Sequence, residues 1–233
     1  MQATYPSDTL STGALQFSET ASQTRVHSAI SSKPLSQLRS GQSLFFEGDQ
    51  GSDVFLLVKG TICFHRFISG DCRVVLGFSL AGEVFNLSLN GRHLCTAESV
   101  SDCLYRRLSR SELEAMRENG SGLLEDVTNH LRNEPWKLQF DTLNRLHMTA
   151  DESVARFICE MGSRTNPRFT NGSRVHLDMS RADIASYLGL TVETVVRSLK
   201  RLTASGAMIA FAPHDFGIRD LGSLLFHAGN FRH

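Results

Sequence analysis

Glu193 and Arg197 stand four residues apart in the stretch Met179–Thr203, MSRADIASYLGLTVETVVRSLKRLT. Side chains at that spacing share one face of a helix. An arginine fork can bond guanine O6 and N7 together, and a glutamate can accept from the N4 amino group of cytosine. This pair therefore carries the groups needed to read base edges in a major groove. The same two residues can also close an intrahelical salt bridge, and the two roles can coexist, because a glutamate can hold the guanidinium in place. Val192 and Val196 fall on or near the same face and complete the base-reading set. Arg181, Thr191, Thr194, Lys200 and Arg201 are candidates for phosphate contacts, which fix register without reading sequence. Four basic residues against two acidic ones between Ser180 and Ala204 make a modest local excess. The whole chain has 24 basic and 24 acidic residues, so any argument for nucleic acid has to be local.

Such a face needs a rigid mount, and the flanking residues predict one. Ser180 is a good N-cap, with Asp183 in the first turn where its charge suits the helix dipole. Ile184, Ala185 and Leu188 give a first helix its apolar face. Gly189 can take the left-handed conformation that turns one helix into the next. Leu190 plugs the core and Thr191 caps the second helix. There Val195, Leu199 and Leu202 form the buried stripe, leaving Val192, Glu193, Val196, Arg197 and Lys200 outside. Met208–Ala212 and Phe216–Arg219 are two short strands around Pro213-His214-Asp215, a hairpin that forms a wing. Asp220–Phe226 reads as a closing helix. Upstream, Arg174–Met179 alternates as a short strand, and Ala150–Gly162 reads as a helix with Val154, Phe157, Ile158 and Met161 on one face.

Between Lys33 and Leu108 the text differs. Short apolar runs are divided by glycine and aspartate, with turns at Gly48-Asp49 and Gly70-Asp71. Phe55–Val58 and Ile62–Phe64 are strands broken at Gly60. Val74, Leu76 and Phe78 mark another, and Asp102–Leu108 the last. Several short strands at this spacing predict a small antiparallel barrel or double-layer roll. Ser109 with Glu112 fits a capping box opening a short helix through Met116. A long helical pattern follows from about Leu123 to His147, interrupted at Pro135, and a helix of this length suits pairing with a second copy. Residues 1–32 read as a flexible, Ser-, Thr- and Gln-rich arm, with room for one short helix near its end. The expected organisation is thus α+β: an arm over 1–32, an antiparallel β-roll over 33–120, a dimerisation helix over 121–147 and a winged helix-turn-helix over 148–233.

Several classes are excluded or disfavoured. The chain has no apolar run long enough for a membrane helix, and its start lacks the pattern of a signal peptide. Five cysteines without a CxxC pair argue against a disulfide framework or zinc site and suit a reducing cytoplasm. Antiparallel rolls also occur in metal-dependent enzymes, but the roll region offers only His65 and His93 as histidine ligands, so neither catalysis nor a metal or other cofactor is expected.

From about Lys33 onward the chain resembles the CRP/FNR superfamily of bacterial transcription regulators. The resemblance rests on the roll text with Gly48-Asp49, Gly60 and Gly82-Glu83, on the long helix, and on MSRADIASYLGLTVETVVRSLKRL. It implies double-stranded DNA, a homodimeric partner copy and RNA polymerase as partners, without membrane association. Val192-Glu193-Thr194-Val195-Val196-Arg197 resembles the FNR/FixK branch, whose E-x-x-S-R helix reads TTGA half-sites in a palindrome. Glu193 and Arg197 match, whereas Val196 replaces the usual serine. The resemblance also implies an effector pocket in the roll. Cyclic-AMP-binding members carry an Arg-Ser pair where this chain has His93-Leu94, and oxygen-sensing members carry an N-terminal cysteine cluster, whereas the first cysteine here is Cys63. Those departures point to a FixK-like activator of low-oxygen and nitrogen-related genes that works without a small-molecule effector. The alternative is an effector-gated regulator binding a cyclic nucleotide or haem in the roll.

Overall fold

The computed structural model of the chain describes residues 27–70, 72–85, 88–89, 91–118 and 147–229. The expected long helix over 121–147 falls outside these residues except for His147, as does nearly all of the expected arm. Within the described residues the fold is α+β, with an antiparallel roll followed by a winged helix-turn-helix unit.

Ten short strands form the roll: β1 (Leu35–Leu38), β2 (Ser43–Phe45), β3 (Val54–Lys59), β4 (Thr61–Ile68), β5 (Cys72–Leu80), β6 (Val84–Phe85), β7 (Ser88–Leu89), β8 (Arg92–His93), β9 (Thr96–Ser99) and β10 (Cys103–Leu108). They build one sheet in the order β1-β10-β3-β6, a second in the order β2-β9-β4-β5, and a small β7-β8 pair. Gly60 makes the β3–β4 corner at φ +90°, where an added Cβ would sit 2.8 Å from the Asp102 carbonyl. Only glycine fits that corner without moving backbone. Phe45, Phe55, Leu57, Ile62, Phe64, Phe85, Cys95, Ala97 and Cys103 fill the space between the two sheets.

The outer face of the first sheet is covered from both chain directions. Ile30, in a helical turn at 27–31, is fully buried with Val54, Leu56, Val84, Leu108 and Leu113. Packing therefore starts before the expected roll boundary at 33, because one large apolar side chain in an otherwise polar stretch is enough to dock the turn. Leu113 belongs to α1 (Arg110–Glu118), which opens with the expected box: Glu112 accepts from the Ser109 backbone at 2.8 Å. Lys33 ties the same carboxylate at 2.7 Å, and these bonds, Lys33 first, hold Glu112 down at about 2.

The second unit is built on α2 (Ala150–Thr165), which starts in a Thr149–Glu152 capping box. It is followed by β11 (Arg174–His176), α3 (Arg181–Leu188), α4 (Val192–Ala204), β12 (Met208–Ala212), β13 (Asp215–Ile218) and α5 (Leu221–His227). The wing sheet runs β11-β13-β12. Val154, Phe157, Ile158 and Met161 of α2 are buried as their spacing predicts, against Val195, Leu199 and Leu202 of α4.

That core does not stop at the unit's edge. It continues into the roll through Cys63, Val75, Phe78 and Leu80. Phe78 lies 5.4 Å from Tyr187 and 6.2 Å from Phe157, ring centre to ring centre. Polar contacts line the same seam. The Val75 amide donates to Ser186 Oγ at 3.0 Å, and Thr61 and Ser101 hydroxyls donate to Asp178 at 2.6 and 3.1 Å. Roll and helix-turn-helix unit thus share one hydrophobic core rather than sitting at the two ends of a linker.

Candidate nucleic-acid interface

The two helices of the candidate interface are fixed at their ends by the residues that predict them. Ser180 and Asp183 form a reciprocal capping box on α3, and Gly189 ends it at φ 68° and ψ 32°, in the left-handed region. The Leu190 amide then bonds back to the Ala185 carbonyl at 2.9 Å, closing the turn. Thr191 caps α4 by accepting from the Thr194 amide at 3.2 Å.

Helix α4 is sharply two-sided. Val195, Ser198, Leu199 and Leu202 are buried, whereas Thr191, Val192, Glu193, Arg197 and Lys200 are exposed and Thr194 and Val196 are half-buried. The candidate base-reading residues Val192, Glu193 and Arg197 therefore lie on one open face, with Val196 at its edge. Within it, Arg197 donates to Thr194 Oγ1 at 3.3 Å, and Thr194 Oγ1 lies 2.9 Å from Thr191 Oγ1. Of the two roles open to the pair, the salt bridge is not formed: among the described residues no ion pair joins Glu193 to Arg197. Both charges stay available on the surface, with Arg197 steadied by a hydroxyl instead of a carboxylate.

The phosphate candidates divide into two groups. Thr191, Thr194 and Lys200 remain on the open surface. Arg201, by contrast, is paired with Asp151 at 2.7 Å, and Arg181 is half-buried, donating to the Pro213 carbonyl of the wing turn while lying over the Phe216 ring at 5.4 Å. Burial pulls the Arg181 pKa below its ordinary value. Arg181 therefore braces the wing against α3.

Three groups were missed by reading the sequence. Asp151, at the start of α2, accepts from the buried Ser198 hydroxyl at 2.5 Å as well as from Arg201, so one carboxylate holds the back of α4. Burial would raise that carboxyl, but the Ser198 and Arg201 bonds outweigh it and keep it low. A serine inside an otherwise apolar stripe was the available signal. Asp183, read as a cap, also binds Arg73 of β5 at 2.5 Å. Here too burial pushes upward and the Ser180 and Arg73 bonds prevail. Arg73 in turn reaches Glu98 at 3.4 Å, and Glu98 accepts from His65 at 3.0 Å. Burial first, then the Arg73 charge, lowers the His65 pKa. No sequence signal pointed to that chain of charges, because its members are up to 118 positions apart.

The third missed group concerns the roll position where the resemblance implies an effector. Glu83 binds Arg164 with both carboxylate oxygens at 2.8 Å and accepts the Leu80 amide at 3.0 Å. His93 is buried, stacked on Phe45 with ring centres 3.7 Å apart, and Leu94 is 45% exposed. The His93 ring fits only because Gly51 has no side chain, since a Cβ there would lie 2.1 Å from Nε2. The side chains of these described residues do not form a phosphate cradle: the carboxylate is spoken for, Leu94 brings no side-chain donor, and the His93 ring is packed on an aromatic face.

Comparison with known proteins agrees with this architecture. The Crp-like helix-turn-helix domain family matches residues 152–225, and the cyclic nucleotide-binding domain family matches residues 35–119. The nitrogen fixation regulation protein FixK of Azorhizobium caulinodans is 30% identical over 192 residues, covering 78% of this chain and 73% of that protein. FixK of Bradyrhizobium diazoefficiens is 28% identical over 169 residues, covering 72% of this chain and 71% of that one. Among solved structures, FixK2 from Bradyrhizobium japonicum superposes with a TM-score of 0.70 at 27% identity, covering 83% of this chain and 96% of that chain.

Proposed function

The chain belongs to the CRP/FNR superfamily, on its FixK-like branch, and is a DNA-binding transcription regulator; from that premise we propose a homodimeric activator that reads a TTGA-like palindrome without a small-molecule effector. Family members are regulators and not enzymes. The observation that carries the reading is the open face of α4, where Glu193 and Arg197 stand beside Val192 and Val196 without an ionic partner among the described residues. Arg197 supplies the bidentate guanine contact, and Glu193 accepts from cytosine. Val196 offers methyl groups where a serine is usual, so the contact it makes is to a thymine methyl rather than a hydrogen bond. Thr191, Thr194 and Lys200 contact phosphates from the same surface; Arg181 and Arg201, held by the Pro213 carbonyl and by Asp151, join them only by giving up those contacts. Two copies set two such helices into successive major grooves, with the segment 121–147, expected from its sequence to be helical, as their junction and RNA polymerase as the partner in the cytoplasm.

Support for the effector-free part comes from the roll. Its interior is filled by Phe45, Phe55, Phe64 and Phe85, and the Glu83 carboxylate is committed to Arg164. The deciding experiment selects bound sequences from a random DNA pool, with and without cyclic nucleotides or haem. A TTGA-like palindrome recovered from protein alone is expected; recovery only with an added ligand overturns the effector-free reading in favour of an effector-gated regulator. Arg197→Ala should cost about 1–3 kcal/mol per half-site and flatten discrimination at the base it contacts. Discrimination that survives this change means another residue does the reading.

A further inference from the structure

The turn between β5 and β6 is locked by its own backbone. Gly82 takes φ +94°, its amide donates to the Leu57 carbonyl at 2.7 Å, and the Leu57 amide donates to the Glu83 carbonyl at 2.9 Å. The Glu83 side chain leaves this rigid turn and meets Arg164, in the last turn of α2. The contact is a two-pronged fork: Nε to Oε1 and Nη2 to Oε2, both at 2.8 Å. Two further donors of Arg164 are also used, Nη2 on the Phe78 carbonyl at 2.7 Å and Nη1 on Glu160 at 3.0 Å. The Arg164 side chain is only 16% exposed. Burial alone would pull its pKa down, but the bond to Glu83 and the charges of Glu83 and Glu160 more than offset this, so it stays charged. A planar guanidinium bonded at two oxygens fixes direction as well as distance.

This contact joins the roll to the element that carries the reading helix. Helix α2 holds α4 through Asp151, which binds Ser198 and Arg201, and through the core shared by Phe157, Val195, Leu199 and Leu202. An unbroken line of fixed contacts therefore runs from the roll turn through Arg164 and α2 to the back of α4. We propose that the Glu83–Arg164 pair is a built-in tether that sets the orientation of the DNA-binding unit on the roll, with Glu83 a positioning residue for DNA binding rather than a ligand contact. This rests on the effector-free reading and names its mechanism: the carboxylate that would be free to hold a bound molecule is spent on the chain's own arginine.

The tether is tested in the full chain by measuring the distance between spin labels on exposed positions, Lys59→Cys in the roll and Ala204→Cys in the DNA-binding unit, in a Cys72→Ser background. The labelled chain is diluted into excess unlabelled chain so that only distances within one chain are read. The original pair should give one narrow distribution. Glu83→Gln and Arg164→Gln should broaden it and weaken binding to the selected palindrome by about tenfold to about a hundredfold, as the competent orientation becomes a minor population. The ratio of palindrome to mismatched DNA should not change. Arg164→Lys, which keeps the charge and one bond, should recover part of both effects. A purely structural role would lower the unfolding midpoint yet leave the distribution of the folded protein narrow. A narrow distribution in Glu83→Gln, or no difference between Arg164→Lys and Arg164→Gln, overturns the proposal. If the unmutated chain binds DNA only with an added ligand, the effector-free reading fails separately, and the distribution still decides whether the tether exists.

Discussion

The two long sides of the helix-turn-helix unit follow opposite rules. On the open face of α4 the charged residues Glu193, Arg197 and Lys200 have no ionic partner among the described residues. On the seam with the roll almost every polar group is matched: Asp183 with Arg73, Arg164 with Glu83, Asp178 with Thr61 and Ser101, Ser186 with the Val75 amide. The difference follows from solvent. An exposed charge keeps its hydration and can wait for a partner such as a phosphate, whereas a group removed from water without a hydrogen bond is costly. On the proposed reading, the seam is where orientation is set and the open face is where recognition is left unfinished.

That contrast can be broken at several points. The largest expected effect is at the seam's core. Phe157→Ala removes a ring packed between Phe78 and Tyr187 and should destabilise the chain by about 3–5 kcal/mol in denaturant unfolding. A loss under about 1 kcal/mol would mean the two units do not share a core in solution. Next is Asp151→Ala, which leaves the buried Ser198 hydroxyl unpaired and releases Arg201. It should cost about 1–3 kcal/mol of stability while leaving base preference in a binding assay unchanged. A changed preference would instead put Asp151 in direct control of the reading face.

On the open face, Lys200→Ala should change stability by less than about 0.5 kcal/mol. It should weaken binding to all DNA sequences alike and lower the slope of log affinity against log salt by about 1 for each phosphate no longer neutralised. A sequence-dependent loss would move Lys200 from the phosphate group to the base-reading group. The smallest effect concerns His176, which bridges Asp215 of the wing at 2.7 Å and Asp178 of the seam at 3.3 Å. The hydrogen bond to Asp215, with the charges of Asp215 and Asp178, raises its pKa above 6.5 despite some burial. Because the folded value is the higher one, its contribution is complete below about pH 6.5 and fades as pH rises through the folded value. The side chain is 58% exposed, so the contribution should stay under about 1 kcal/mol. Comparing His176→Gln with the parent from pH 6 to pH 9 should show the stability gap closing as pH rises; a gap that widens would contradict the assigned bridge.

Four of the five thiols, all but the exposed Cys72, belong with the seam and the roll core rather than with the open face. Burial pushes Cys63, Cys95 and Cys159 up to about 12, so these three are packing groups with little thiolate at neutral pH.

Sequence alone determined the local elements of the reading unit. Ser180, Asp183, Gly189 and Thr191 act within a few residues of themselves, so their capping and turning roles can be read from spacing, and the structure places the caps of α3 and α4 at those positions. The buried stripe Val195, Leu199 and Leu202 and the open face bearing Glu193 and Arg197 follow from helical period for the same reason. The wing strands, the Ser109–Glu112 box that opens α1 and the antiparallel roll were legible because capping, hydrophobic alternation and glycine turns are also local signals. What only the tertiary structure decided is which partner each polar group takes. Asp183 looked like a cap and is also the roll's anchor for α3; Arg201 is a candidate phosphate contact and is also held by Asp151; Glu83 looked like part of an effector site and is bonded to Arg164. These pairings join residues 50 to 110 positions apart. No periodicity encodes such distances, because they are fixed only when two hydrophobic faces from different parts of the chain come together and exclude the water that would otherwise satisfy each charge.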